Sequence, residues 1–405
     1  MTDTSPPLRE VEFVALMATL FATIAFSIDA MLPALPEIGR TLTPDAPNRA
    51  QLILTSFVFG MGVGTLFAGP LSDAFGRKPV ILWAMGLYAI GAVLAWSAST
   101  LEGVLAGRIL QGLGAAGPRV VTLALIRDIY SGRRMARIVS FVTMVFTLGP
   151  AIAPSLGAVI ISFAGWRGIF GAFVVFCALS GLWFGLRLPE THPPDRRRPL
   201  IVTTLWAAVR EVFANRVVVL TIAVQTLCFG MLFSVLSSTQ PVFDVTFGRA
   251  DSFPLWFAGI AICAGMGGFL NARLVERLGM RYLVRTALTG QIVISGLVVT
   301  LWTFSAVPEP LAFPIYLFWT TTVFFQAGLT IGNLNAIAME PLGHIAGMAA
   351  SVVGATATVL AVFIAIPIGL AFNGTPLPLA IGILICAILG VGLMARIDRH
   401  ERISV

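Results

Sequence analysis

Charge is the scarcest resource in this 405-residue chain: 11% of its residues are charged, against 57% hydrophobic. An ordinary soluble domain is roughly one quarter charged, so most of this surface is not made to face water. Lysine is all but missing, since Lys78 is the single lysine among 26 basic residues. The three histidines, His192, His344 and His400, are scattered and make neither a zinc pattern nor a catalytic triad. The four cysteines, Cys177, Cys228, Cys263 and Cys386, each fall in an apolar stretch without CxxC spacing. They read as small buried hydrophobes and imply no disulfide and no metal. No GxxxxGK[ST] loop occurs, which excludes ATP as the energy source. The polar start, Met1 to Glu12, carries acids as well as Arg9 and lacks the basic lead and cleavage site of a secretory signal. The first apolar stretch is therefore expected to stay as a helix. Together these gaps predict a chain that is not an enzyme and has no cofactor and no metal.

What is present is length in apolar runs. A membrane crossing needs about 20 mainly apolar residues, and such stretches recur from end to end. The predicted spans are 13–33, 51–71, 79–98, 103–126, 138–163 and 168–188, then 216–240, 253–274, 282–304, 311–337, 346–372 and 377–395. Between the two sets lies a polar connector, 189–215, with Pro193, Pro194 and the run Arg196-Arg197-Arg198. The expected architecture is all-α: twelve transmembrane helices in two pseudo-symmetric six-helix bundles, 1–188 and 216–405, joined by a cytoplasmic linker at 189–215.

The net charge of +7 belongs to the loops. With the N-terminus inside, the cytoplasmic loops hold Arg77 and Lys78, then Arg127, Arg133, Arg134 and Arg137, the linker arginines, Arg273, Arg277, Arg281 and Arg285, and finally Arg396, Arg399 and Arg402. The outer loops hold only Arg40, Arg49, Arg167 and Arg249. This bias orients a multi-pass protein with both ends cytoplasmic and explains the basic balance without nucleic acid as a partner. The partners expected are the lipid bilayer, a small-molecule substrate and protons, with a single chain holding a complete pathway.

The halves echo one another. The second span ends in Gly69-Pro-Leu-Ser-Asp73-Ala-Phe-Gly76-Arg77-Lys78, and the eighth ends in Asn271-Ala-Arg273-Leu-Val-Glu276-Arg277-Leu-Gly279-Met-Arg281. Paired repeats of this kind are how many secondary transporters are built.

The first of these segments resembles the loop 2–3 signature of the major facilitator superfamily. Ser27-Ile-Asp29-Ala-Met-Leu-Pro33-Ala-Leu-Pro36 resembles the first-helix motif of its twelve-helix drug–proton antiporters. Arg108-Ile-Leu-Gln111-Gly112 is similar to their fourth-helix motif. Gly149-Pro150-Ala-Ile-Ala-Pro154-Ser-Leu-Gly157, followed by Trp166-Arg167, is similar to the fifth-helix antiporter motif, although Ala158 stands where a second glycine is often found. Arg127-Asp128-Ile-Tyr130 and Ala346-Gly347-Met-Ala-Ala-Ser351 resemble the Bcr/CflA branch, associated with bicyclomycin and chloramphenicol resistance. The resemblance implies proton-coupled export of small amphipathic compounds, as in multidrug efflux and antibiotic resistance, from a bacterial inner membrane. It leaves open a proton-coupled uptake carrier for a small, possibly anionic, metabolite on the same fold. A transporter-like sensor would be expected to carry an added soluble domain, and this chain has only short tails.

Three charged residues lie well inside the spans: Asp29, Arg108 and Arg119. A charge at the bilayer centre costs about 2.5–3.5 kcal/mol on insertion scales, so each needs a partner or a wet cavity. Helix arithmetic puts Asp29 and Arg108 at similar depth toward the outer side, and the resemblance makes their helices neighbours, so an ion pair is expected. The hypothesis is that Asp29 takes and releases the coupling proton while Arg108 controls its affinity, because dehydration favours a neutral acid and a nearby cation favours the carboxylate. The bland alternative is an interfacial acid at the end of helix 1.

Arg119 follows Arg108 by eleven residues, which returns it to the same helix face about 16 Å away. It fits either a structural cation or a contact for an anionic solute. The loop residues Asp73, Gly76 and Arg77, joined by Arg127 and Asp128, are candidates for gating. Gly149, Pro150, Pro154 and Gly157 are expected to interrupt helix 5, since proline removes a backbone hydrogen bond and glycine admits a close neighbour. In the second half, the resemblance makes Gln225, Gln326 and Asn333 candidate substrate contacts, and helix–helix hydrogen bonding explains them equally well.

Overall fold

In the computed structural model, residues 8–197, 199–200 and 202–404 are described. The first seven residues and Arg198 of the basic run lie outside them, as do the side chains of Arg196, Arg399, His400 and Arg402. Among the described residues every regular element is helical. The first half holds α1 (Glu10–Asp29), the short α2 (Leu35–Leu42), α3 (Leu52–Phe75), α4 (Arg77–Ser97), α5 (Leu101–Ile129) and α6 (Gly132–Arg187). A linker helix α7 (Val202–Ala214) leads to α8 (Arg216–Pro241), α9 (Phe253–Leu278), α10 (Met280–Thr303), α11 (Glu309–Met339), α12 (Ala346–Leu370) and α13 (Leu377–Ser404).

Ten continuous helical segments among the described residues are long and apolar enough to cross a membrane, and two of them have double length. The 56 residues of α6 would reach about 84 Å if straight, far beyond a hydrocarbon core of about 30 Å. Gly165, at φ 62° and ψ −176°, breaks the helical path there and separates the fifth crossing from the sixth. Only glycine enters that region without a Cβ clash. The 62-residue segment Glu309–Leu370 is likewise divided by a tight 3-10 stretch, Glu340–Ile345. Ten segments therefore make twelve crossings.

Pro150 and Pro154 lie inside α6 without ending it, because Gly165 is the one residue in that helix with non-helical dihedrals. The expected interruption of helix 5 at these prolines is corrected to that extent. A proline costs one backbone bond in a helix whose other bonds persist, whereas a change in sign of φ redirects the chain.

The chain divides into two compact units. One takes the residues up to Ile38 together with Ser56–Leu205, and the other takes Gly39–Thr55 together with Trp206–Val405. In the first unit α4 and α5 lie in near backbone contact: a Cβ on Gly114 would stand 2.4 Å from the amide nitrogen of Tyr88, and one on Gly107 2.6 Å from that of Ala95. In the second, α8 is the centre, with α11, α12 and α13 packed around it. The segment 47–51 belongs to this unit through named bonds. Gln51 Nε2 donates to the Gly369 carbonyl at 3.0 Å, Ser238 Oγ donates to Gln51 Oε1 at 3.0 Å, and Asn48 Nδ2 donates to the Phe372 carbonyl at 2.6 Å.

The sequence echo between the halves has a conformational counterpart. Gly76 stands before α4 at φ 101°, ψ 158°, and Gly279 stands before α10 at φ 83°, ψ 151°. Both turns need the left-handed region, which L side chains avoid. Large apolar side chains on the outer surface, among them Trp83, Phe163, Leu186, Leu255 and Phe318, are what a lipid-facing surface requires.

Candidate functional site

The densest buried polar cluster of the first unit is built on α1, α4 and α5. Arg108 is fully buried, and each of its contacts answers a specific donor. Nη1 donates to Gln111 Oε1 at 2.7 Å, one helical turn along α5. Nη2 donates to the backbone carbonyl of Ser27 on α1 at 2.9 Å. The guanidinium lies over the ring of Phe57 from α3, 4.4 Å from its centroid, a geometry in which the ring face attracts the cation. The hydroxyls of Ser27 and Tyr88 stand 2.5 Å apart, which brings α4 into the same network. Asp29 ends α1 two residues beyond Ser27 and is 4% exposed.

The ion pair expected between Asp29 and Arg108 is not formed: Arg108 reaches α1 at the Ser27 carbonyl, two residues before the acid. The bond that links their helices runs to a main-chain oxygen of Ser27 rather than to a carboxylate oxygen. Composition and spacing single out Arg108 but not Ser27 or Tyr88, whose polarity is ordinary and whose role comes from packing. Gln111 stood in the quoted motif without a role; here it accepts from Arg108 while its own Nε2 has no hydrogen-bond partner.

Two close glycine crossings set α1 against α6. A Cβ on Gly149 would stand 2.4 Å from the methyl of Ala25, and one on Gly157 would stand 2.2 Å from the Ala30 carbonyl oxygen. The second crossing falls next to Asp29, so Gly157 lets α6 pack closely on the end of α1 that carries the acid.

Arg119 lies farther along α5, half-buried. Among the described residues its side chain has one hydrogen-bond contact, Nη1 to Met61 Sδ at 3.8 Å, and no carboxylate within salt-bridge range.

At the other end of the unit, the α3–α4 turn carries a second network. Arg77 donates through Nε to Asp128 Oδ2 at 3.0 Å and through Nη1 to Ser72 Oγ at 2.7 Å and Asp73 Oδ1 at 2.5 Å. Thr191 donates to the same Asp128 oxygen at 3.3 Å. Of the five gating candidates, Asp73, Gly76, Arg77 and Asp128 come together here. Arg127 does not: its Nε turns back to the Leu123 carbonyl on its own helix at 3.3 Å.

Glu190, which the sequence reading did not single out, closes this network. Its Oε1 accepts the backbone N–H groups of Arg77 (3.0 Å) and His192 (2.8 Å), and its Oε2 accepts that of Lys78 (3.1 Å). The first turn of a helix leaves its N–H groups without partners and favours negative charge, and Glu190 supplies both from more than a hundred residues away. A Cβ on Gly76 would lie 2.5 Å from Glu190 Oε2, the far end of a flexible side chain, so it is the positive φ that calls for glycine here. The available signal was an isolated acid directly after a helix end, in Leu188-Pro189-Glu190.

In the second unit Gln225, Gln326 and Asn333 are all buried, yet they differ. Asn333 Nδ2 donates to Asn271 Oδ1 at 2.7 Å and to the Leu329 carbonyl at 2.9 Å, tying α11 to α9. Gln326 Nε2 donates to Thr330 Oγ1 at 3.1 Å, but its Oε1 has no partner, and neither has Gln225 Oε1. These two amide oxygens remain as acceptors that the protein itself does not use.

The profile described as Major Facilitator Superfamily matches residues 15–366. The chain is similar to the "Bicyclomycin resistance protein homolog" of Haemophilus influenzae, with 30% identity over 348 residues, 84% of this chain and 85% of that one. It is also similar to "Multidrug resistance protein D" of Escherichia coli, with 26% identity covering 85% of each chain. Among solved structures, a D-xylose–proton symporter superposes with a TM-score of 0.70 at 15% identity, covering 93% of this chain and 97% of that one. At that identity the likeness concerns the fold.

Proposed function

The chain belongs to the Major Facilitator Superfamily, a family of multi-pass membrane transporters rather than enzymes, and from this we propose that it exports small amphipathic compounds, antibiotics among them, in exchange for protons. The observation that carries the coupling part is the placement of Asp29: a buried acid at the end of α1, two residues from the carbonyl that Arg108 holds. Dehydration favours a neutral acid, and the approach of water or a cation favours the carboxylate, so a shift of α1 against α5 that opened Asp29 would change its proton occupancy. One pKa unit is worth about 1.4 kcal/mol, enough to bias a two-state carrier working by alternating access. The likeness to the bicyclomycin-type and multidrug relatives supports export and supports a broad substrate class.

The assignment extends residue by residue. Gln225 and Gln326 offer free acceptor oxygens to substrate, Asn333 orients α11 beside them, and Arg119 attracts anionic groups. Asp73, Gly76, Arg77 and Asp128, with Glu190, form a gate element, and Arg127 contributes positive charge at the same end. Gly149, Pro150, Pro154 and Gly157 hold α6 against α1. The bundles run 1–188 and 216–405 about the linker 189–215, both termini face the cytoplasm of a bacterial cell with the protein in its inner membrane, and one chain suffices for transport. A second reading, uptake of a small anionic metabolite, draws on Arg119 and its lack of an acidic partner.

The test is a drug-susceptibility panel in an efflux-deficient bacterial host, with proton-gradient-driven drug extrusion from proteoliposomes. Export predicts raised resistance to several structurally unrelated amphipathic drugs, bicyclomycin included. Accumulation of small anions without any change in drug resistance would favour the second reading.

A further inference from the structure

In the second unit α12 and α13 each pack along α8 but scarcely touch one another. They meet near the α12–α13 turn, where a Cβ on Gly382 would stand 2.7 Å from Ile368. Away from that turn they leave a groove of about 580 Å³ with α8 as its floor. Its walls are apolar, with Ala223 and Leu227 from α8, Leu360 from α12 and Leu389 from α13. Its two polar features are Thr226 and Arg396.

Of the two, Arg396 is open to a ligand, whereas the Thr226 hydroxyl is buried without a hydrogen-bond partner and is closed to the groove. Arg396 is an exposed cation near the end of α13 and forms no salt bridge among the described residues. Gly392 lies one turn before it, and a Cβ there would meet nothing within 4 Å. The rim residues Leu360, Ile388 and Leu389 are 45–53% exposed, so the groove opens on the surface that acyl chains cover.

We propose that this groove binds one acidic phospholipid: an acyl chain lies between α12 and α13 against the apolar lining, and Arg396 holds the phosphate. Size selects a chain over a helix from a second copy. Ile388 to Arg396 spans roughly 12 Å, and a helix of that length with a diameter of about 10–12 Å fills on the order of 1,000 Å³. Charge selects the headgroup, since a basic side chain near a bilayer surface attracts acidic lipid.

The test is native mass spectrometry of the full-length protein in detergent, titrated with phosphatidylglycerol, phosphatidylcholine or inorganic phosphate. One equivalent of phosphatidylglycerol is expected to be retained after other lipid has been stripped. It should bind about fivefold more tightly than phosphatidylcholine, the worth of one basic residue, and inorganic phosphate should not displace it. Gly392→Leu, whose Cβ has open space around it and whose bulk is added to the groove lining, should remove this equivalent while the melting temperature of the delipidated protein stays unchanged. Arg396→Gln should bring phosphatidylglycerol down to the affinity of phosphatidylcholine. Retention of the lipid by Gly392→Leu would overturn the proposal, as would equal affinities in the unmodified protein or uniform loss of all lipid at one energy. Displacement by inorganic phosphate alone, or occupancy by a drug in place of lipid, would overturn it too.

Discussion

Arg108 of α5 donates from Nη2 to the main-chain carbonyl of Ser27 on α1 at 2.9 Å, two residues before the buried Asp29. Ser27 stands in the last turn of α1, where carbonyls have no donor from the helix itself, so Arg108 supplies a donor that the helix end lacks. It couples the position of a fixed cation to the position of an acid that can change its charge.

Removing the cation should therefore be costly twice. Arg108→Ala takes the Arg108 donor from the Gln111 amide oxygen and from the Ser27 carbonyl, at about 1–3 kcal/mol for each buried group left without a partner. The melting temperature should fall and proton-driven transport should be lost. Arg108→Lys keeps the charge but cannot fork between two acceptors, so it should restore much of the stability and little of the transport. Thermal unfolding and proteoliposome flux, measured on the same preparations, separate the two effects.

The α1–α6 crossings predict a graded glycine series. Gly157→Ala places a methyl 2.2 Å from the Ala30 carbonyl oxygen, a backbone atom that cannot rotate away. It should displace the end of α1 and reduce coupled transport at least as much as stability. Gly290→Ala meets nothing within 4 Å and should be silent in both assays.

Glu190→Gln keeps the shape of the group that caps α4 but removes its charge, and Glu190→Ala removes both. An acid at a helix N-terminus is worth roughly 0.3–1 kcal/mol, so the fold should survive either change. Transport should fall, with the alanine variant lower than the glutamine variant, because the α3–α4 turn loses the group that holds its first two N–H donors. Drug extrusion rates at saturating drug provide the comparison.

The buried amides of the second unit should separate by partner. Asn333→Leu strands Asn271 and should lower the melting temperature. Gln326→Leu gives up a bond to Thr330, a weak contact to the Cys228 sulfur and a free acceptor, so it should cost little stability and weaken drug binding. Titration of purified protein with a fluorescent amphipathic drug, alongside thermal unfolding, checks the contrast.

The readability of these features from sequence follows their range. The spans were legible because each buries its own backbone and needs only its own apolar residues. Arg108 and Asp29 stood out because charge is rare in such stretches, but the pairing expected of them was misread, because helical rise gives a height along the axis and not the direction of a side chain. The glycine before α4 and its echo before α10 were visible for a similar reason, since a left-handed residue needs no partner to be required. Glu190 was not legible as a cap, because its acceptors lie far away in sequence and an acid beside a proline is unremarkable. Nor was the membership of 47–51 in the second unit, which rests on Gln51 meeting Ser238 and the Gly369 carbonyl. Proline-based punctuation misled at Pro150 and Pro154, where a long helix absorbed the lost bonds and Gly165 made the turn.

The central claim is that Asp29 carries the exchanged proton, and the direct measurement is drug-evoked proton release from purified protein, followed with a pH indicator in weak buffer. The unmodified protein should release protons when drug is added. Asp29→Asn, with an unchanged melting temperature and drug affinity, should release none and should show no pH-gradient-driven flux in proteoliposomes. Equal proton release and undiminished flux in the variant would contradict the account.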